Sequence, residues 1–176
     1  TKRFVAITTG LQDDTPEHLA CHAGRLFLSK GASLMYSTSD DPTSFNAVNG
    51  AGEFAVGEDI TALKSLTGGE AAAALAIFTK SRIYILYGSS NADFRLVPYS
   101  TEVGAHPGTV QRIGTAYFAN DFGVSSLSQS DSWGAFSMSQ ITEQVRPFMR
   151  GKRRKAVCSM IVRSKNQYRL FFDDGD

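Results

Sequence analysis

The chain alternates short apolar runs with short polar turns, and the runs come in pairs. Arg25-Leu26-Phe27-Leu28 and Ser33-Leu34-Met35-Tyr36-Ser37 flank Ser29-Lys30-Gly31. Ala74-Leu75-Ala76-Ile77-Phe78 and Arg82-Ile83-Tyr84-Ile85-Leu86-Tyr87 flank Thr79-Lys80-Ser81. Thr115 to Ala119 and Val124 to Leu127 flank Asn120-Asp121-Phe122-Gly123, and Val157 to Val162 and Gln167 to Phe172 flank Arg163-Ser164-Lys165-Asn166. Aromatic and β-branched runs joined by such turns predict β-hairpins. The turn centres Lys30, Lys80, Asp121 and Lys165 lie 50, 41 and 44 residues apart, close to the roughly 40–50-residue period of four-stranded propeller blades. Further strands are expected at Glu53 to Val56, Ile60 to Leu63, Asp93 to Pro98, Gly108 to Ile113 and Gly134 to Met138.

The inner hairpin strands, such as Leu75-Ala76-Ile77-Phe78, are apolar at every position. A strand covered on both faces needs such a run. Stacked blades cover strands this way, whereas a two-sheet sandwich covers mainly one face and gives cleaner alternation. The expectation is therefore an all-β chain: a partial β-propeller of about four blades, with antiparallel strands and one short helical turn, the sandwich being the alternative. The helical turn is placed within Ser139 to Met149, where Ile141, Val145 and Met149 are four apart, Ser139 is a candidate cap and Pro147 limits the length. Strand-like residues near both ends, Phe4 to Ile7 and Tyr168 to Phe172, make residues 1–176 a single propeller region expected to belong to a longer chain.

Composition changes this picture little. Of 176 residues 42% are hydrophobic and 20% charged, a globular balance, and 18 basic against 17 acidic residues give net +1. Global charge thus selects no polyanionic or membrane partner. No apolar run approaches the ~18 residues of a membrane-spanning helix. Cys21 and Cys158 sit in apolar runs and are expected to be buried reduced thiols.

Candidate chemistry is sparse. Glu17-His18-Leu19-Ala20-Cys21-His22 offers metal-ligand types at close spacing, but on a strand His18 and His22 share one face and Cys21 takes the other. Asn49-Gly50-Ala51-Gly52 and Thr67-Gly68-Gly69-Glu70 fit no phosphate-binding fingerprint and read as turns. No nucleophile-elbow pattern is present. Asp173-Asp174-Gly175-Asp176 lacks the ligand spacing of a calcium loop. The expectation is no catalytic site, no metal and no cofactor. The most unusual charge feature is Arg146, Arg150, Lys152, Arg153, Arg154 and Lys155: six basic residues within ten positions, with no acidic residue among them. Contact with phosphates or an acidic partner surface would suit it, without sequence preference. From Arg150 to Lys155 no aromatic residue interleaves, so base stacking is not expected there. Trp133 is the candidate ligand-facing aromatic.

Taken together, Cys21-His22-Ala23-Gly24-Arg25-Leu26-Phe27-Leu28, Leu34-Met35-Tyr36-Ser37 and Asp41-Pro42-Thr43-Ser44-Phe45 resemble tailed-phage virion propellers. In those an HxGRLF strand precedes a YxS strand and a DPxxF/W turn. Asp59 to Leu63, Leu75 to Lys80, Ile83 to Gly88, Phe94 to Leu96, Gly108 to Val110, Tyr117 to Val124 and Ile141 to Phe148 extend the likeness over most of the chain. The group includes the tail nozzle and tail tubular proteins of short-tailed phages, which ring the DNA exit channel and are not enzymes. The resemblance implies a structural virion component, made in the host cytoplasm, that assembles as a homo-oligomer with other tail proteins. Non-specific DNA contact through the basic run is a further expectation. The alternative is a propeller module that binds a glycan or a protein.

Overall fold

The computed structural model describes residues 15–66, 74–129, 136–142 and 146–173. The described residues form four antiparallel sheets. The first orders β1 (His18–His22), β2 (Arg25–Lys30), β3 (Ser33–Tyr36) and β4 (Gly52–Ala55) side by side. The second orders β5 (Ile60–Leu66), β6 (Ala74–Thr79), β7 (Ile83–Tyr87) and β8 (Arg95–Ser100). The third orders β9 (Gln111–Ile113), β10 (Thr115–Asn120), β11 (Gly123–Gln129) and β12 (Phe136–Gln140). The fourth pairs β13 (Ala156–Val162) with β14 (Gln167–Phe172). In each sheet, neighbours in space are neighbours in sequence. All four expected hairpins are present, in the registers Phe27↔Tyr36, Ile77↔Tyr84, Phe118↔Ser125 and Ile161↔Tyr168.

The second sheet is buried on both faces, and period-two alternation divides its side chains between two cores. Ala74, Ala76, Phe78, Ile83 and Ile85 pack with Val110, Ala116, Phe118 and Leu127 around the third sheet. Leu75, Ile77, Tyr84 and Leu86 point the other way, against Ala20, Phe27, Leu34 and Tyr36 of the first sheet. This is why β6 and β7 read as unbroken apolar runs: each second residue serves a different neighbour. The fourth sheet lies on the third, with the Tyr117 and Tyr168 rings 6.0 Å apart.

The β1–β2 loop has two residues, with His22 paired to Arg25. Ala23 and Gly24 both have positive φ, 50° and 68°. That is the type I′ geometry whose twist matches a hairpin. Gly24 adopts it freely, but at Ala23 the Cβ opposes it. Replacing Ala23 with Asn, which tolerates this region, is expected to stabilise the protein by about 1 kcal/mol. A rise in the urea midpoint with unchanged slope would register it.

Two expectations are corrected. Ser139 does not cap a helix. It lies in β12, where its hydroxyl meets that of Ser126 on β11 at 2.8 Å. The helix, α1, is only Arg146–Met149, and Pro147 sits in its first turn, where a missing N–H costs nothing. Cys21 and Cys158 are both exposed, not buried. On β1, Ala20 and His22 take the buried face, so alternation turns Cys21 away from the core. On β13 a bulge between Ala156 and Cys158 and one-sided packing leave Val157, Cys158 and Met160 outward. Val145, Trp133 and the acidic tail beyond Asp173 lie outside the described residues, as do Phe4 to Ile7 and the Thr67 to Glu70 turn.

Candidate functional site

The basic run leaves α1 through a turn and a 3₁₀ segment, Arg153–Lys155, which leads into β13. Arg146 opens α1. Arg150, Arg154 and Lys155 are exposed, and Lys152 is half-buried. Two neighbours modify the sequence reading. Asp121, from the β10–β11 turn, places Oδ1 3.3 Å from Arg154 Nε, so the run has an acidic neighbour in space. The Arg154 side chain is 81% exposed, and a pair so open to water contributes little. Phe148, 61% exposed, carries the Lys152 ammonium 5.1 Å from its ring centroid. An aromatic therefore does stand among these cations, brought there by one turn of helix. Phe148 was legible in the sequence only as part of the helical segment.

A second feature was not expected from the sequence. The first strand of each sheet, β1, β5, β9 and β13, lies at a sheet edge, and all four line one cleft of about 860 Å³. Each neighbouring pair of these strands is tied by a side chain that donates to a carbonyl. His18 Nε2 on β1 donates to Ile60 O at 3.1 Å. Arg112 Nη1 on β9 donates to Ser65 O on β5 at 2.8 Å, and Gln111 Nε2 to Ser159 O on β13 at 3.0 Å. An edge strand leaves every second N–H and C=O without a ladder partner. The ties take up carbonyls and leave a cleft whose charged lining, among the described residues, is Lys64, Arg112 and Arg163. Burial holds the Lys64 ammonium below the ordinary lysine value.

Each histidine is held by neighbours from other elements. His22 is buried, its Nε2 donates to Gly88 O at 3.0 Å, and its ring packs on Phe27 and Phe94. Its Nδ1 is buried without a partner, which suits a neutral ring, and burial lowers its pKa accordingly. With Cys21 on the opposite face, the three side chains do not converge. His106 is also held toward its neutral form by burial, and Asp121 only partly opposes this from 3.8 Å.

Arg25 stands out in the same region. It is buried, at 7% exposure, yet meets no carboxylate among the described residues. Its Nη1 donates to Ser37 O at 2.7 Å and Gly50 O at 2.9 Å. Its guanidinium lies over the Tyr36 and Phe94 rings, 5.6 and 5.9 Å from their centroids. His22, Arg25, Phe27 and Tyr36 are thus one packed unit, and they are the residues that carried the family likeness.

No family model matches the chain, and no curated protein matches it in sequence. No helix among the described residues is long and apolar enough to cross a membrane.

Proposed function

We propose that the chain is a propeller-type architectural segment of a phage tail, a structural component of a nozzle or tail-tube ring. The observation that carries this reading is the convergence of four successive first strands on one cleft while the sheets stack face to face. Sequential meanders with their first strands inward are what blades set around an axis require. A sandwich, with two opposed sheets, has no such common inner edge. The His22 to Tyr36 motif, packed as one unit between the first two sheets, adds the family likeness. In this reading loops carry the contacts between copies and with other tail proteins. Arg150, Lys152, Arg154 and Lys155 form a basic loop that meets DNA phosphates.

Native mass measurement of the full protein is expected to give a closed homo-oligomeric ring. Binding to a duplex of arbitrary sequence is expected to be salt-dependent. Replacing Arg150, Lys152, Arg154 and Lys155 together with Gln should reduce the slope of log affinity against log salt by about 3–4. A protein that stays monomeric and binds neither tail proteins nor DNA would overturn the proposal.

A further inference from the structure

We propose that the inner-strand cleft is a binding site for a small phosphate-bearing polyanion, with Lys64 as its central cation and Arg163 at its rim. Three observations lead there. First, among the described residues no Asp or Glu lines the cleft, while Lys64, Arg112 and Arg163 do. Second, Lys64 makes no hydrogen bond or ion pair with any described residue, although it is half-buried on β5. Desolvation depresses its pKa, and no acidic group among the described residues acts against it. A cation taken out of water without a partner is costly, and a bound anion removes that cost. Third, the carbonyls of Ile60, Ser65 and Ser159 are already held by the ties from His18, Arg112 and Gln111. Three acceptor oxygens that would repel an oxyanion are therefore already turned to donors of the protein itself.

The volume selects the ligand class further. About 860 Å³ is within the range of small-molecule sites and far exceeds one carboxylate. A phosphate chain presents several acceptor oxygens at spacings that a lysine point charge and an arginine fork can share. Two sources present that chemistry, a free oligophosphate and a nucleic-acid backbone, and the experiment separates them. The inference concerns a different surface from the basic loop and does not rest on the ring assembly.

The test is calorimetric titration of the full chain with tripolyphosphate, and separately with a short single-stranded oligonucleotide. It uses the wild type, Lys64→Met and the four-Gln loop variant. Tripolyphosphate is expected to bind the wild type and the loop variant alike, and Lys64→Met at least ten-fold more weakly. Unliganded Lys64→Met should melt at or above the wild-type temperature, because a half-buried charge with no partner among the described residues has been removed. Tripolyphosphate should raise the melting temperature of the wild type and of the loop variant, and that of Lys64→Met far less. It should also slow alkylation of Cys21, which lines the cleft, in a Cys158→Ser background. A Lys64-dependent loss that extends to the oligonucleotide assigns the phosphates to a nucleic-acid backbone. A loss confined to tripolyphosphate assigns them to a free oligophosphate. No tripolyphosphate binding by the wild type, or equal binding by Lys64→Met, would overturn the site.

Discussion

Replacing Phe78 with alanine is expected to destabilise the protein by about 3–5 kcal/mol, the usual range for emptying a fully buried phenylalanine. Phe78 on β6 has no exposed surface, and its ring centroid is 5.1 Å from that of Phe118 on β10. The pair spans the core between the second and third sheets. Truncation loses the transfer free energy of the ring. It also leaves a void that Ala76, Ile83 and Ile85 cannot close, because the second sheet is held from its other face by the first. Equilibrium urea unfolding would measure the change. Phe122→Ala is the control, since that ring is 50% exposed at a turn and should shift stability by no more than about 0.5 kcal/mol. Equal effects of the two substitutions would mean that the sheets are not stacked through Phe78 and Phe118.

Arg25→Met is expected to cost about 2–4 kcal/mol, more than a change of similar shape at an exposed arginine. Methionine keeps most of the apolar stem that packs beside Tyr36 and Phe94. It removes both donors to the carbonyls of Ser37 and Gly50, and the buried Ser37 acceptor loses that partner without access to water. Arg25→Lys is expected to recover little. A lysine ammonium cannot serve two carbonyls from a planar fork and stack on two rings at once. Comparing the two variants by urea unfolding separates the role of the guanidinium shape from that of the charge. Full recovery with Lys would show that charge alone is what the site needs.

The hairpins were legible because β6, β7 and β10 are covered on both faces and so carry apolar residues at successive positions. Grouping strands into sheets was not. Glu53 to Val56 and Ile60 to Leu63 look alike in sequence, yet β4 closes the first sheet and β5 opens the second. Only long-range pairing decides between them, such as Ile77 opposite Leu63. Cys21 and Cys158 misled because an apolar neighbourhood in sequence does not say which face of a strand is covered. At the sites the limits were similar. Lys64 reads as an ordinary solvated charge among strand residues, and nothing local announces that Arg112, 48 positions on, closes the same cleft. Asp121 is likewise remote in sequence from Arg154. By contrast, the alternation that separates His18 and His22 from Cys21 follows from strand geometry alone and is what the structure has.

The ties between first strands also bear on the exposed strand edges themselves. An unpaired strand edge is a template on which a foreign strand can add itself, and four such edges facing one cleft would be four invitations. His18, Arg112 and Gln111 each occupy a carbonyl that an incoming strand would need. Lys64 and Arg163 add charge that an incoming apolar segment would have to bury. The inner edges are thereby guarded against runaway sheet growth.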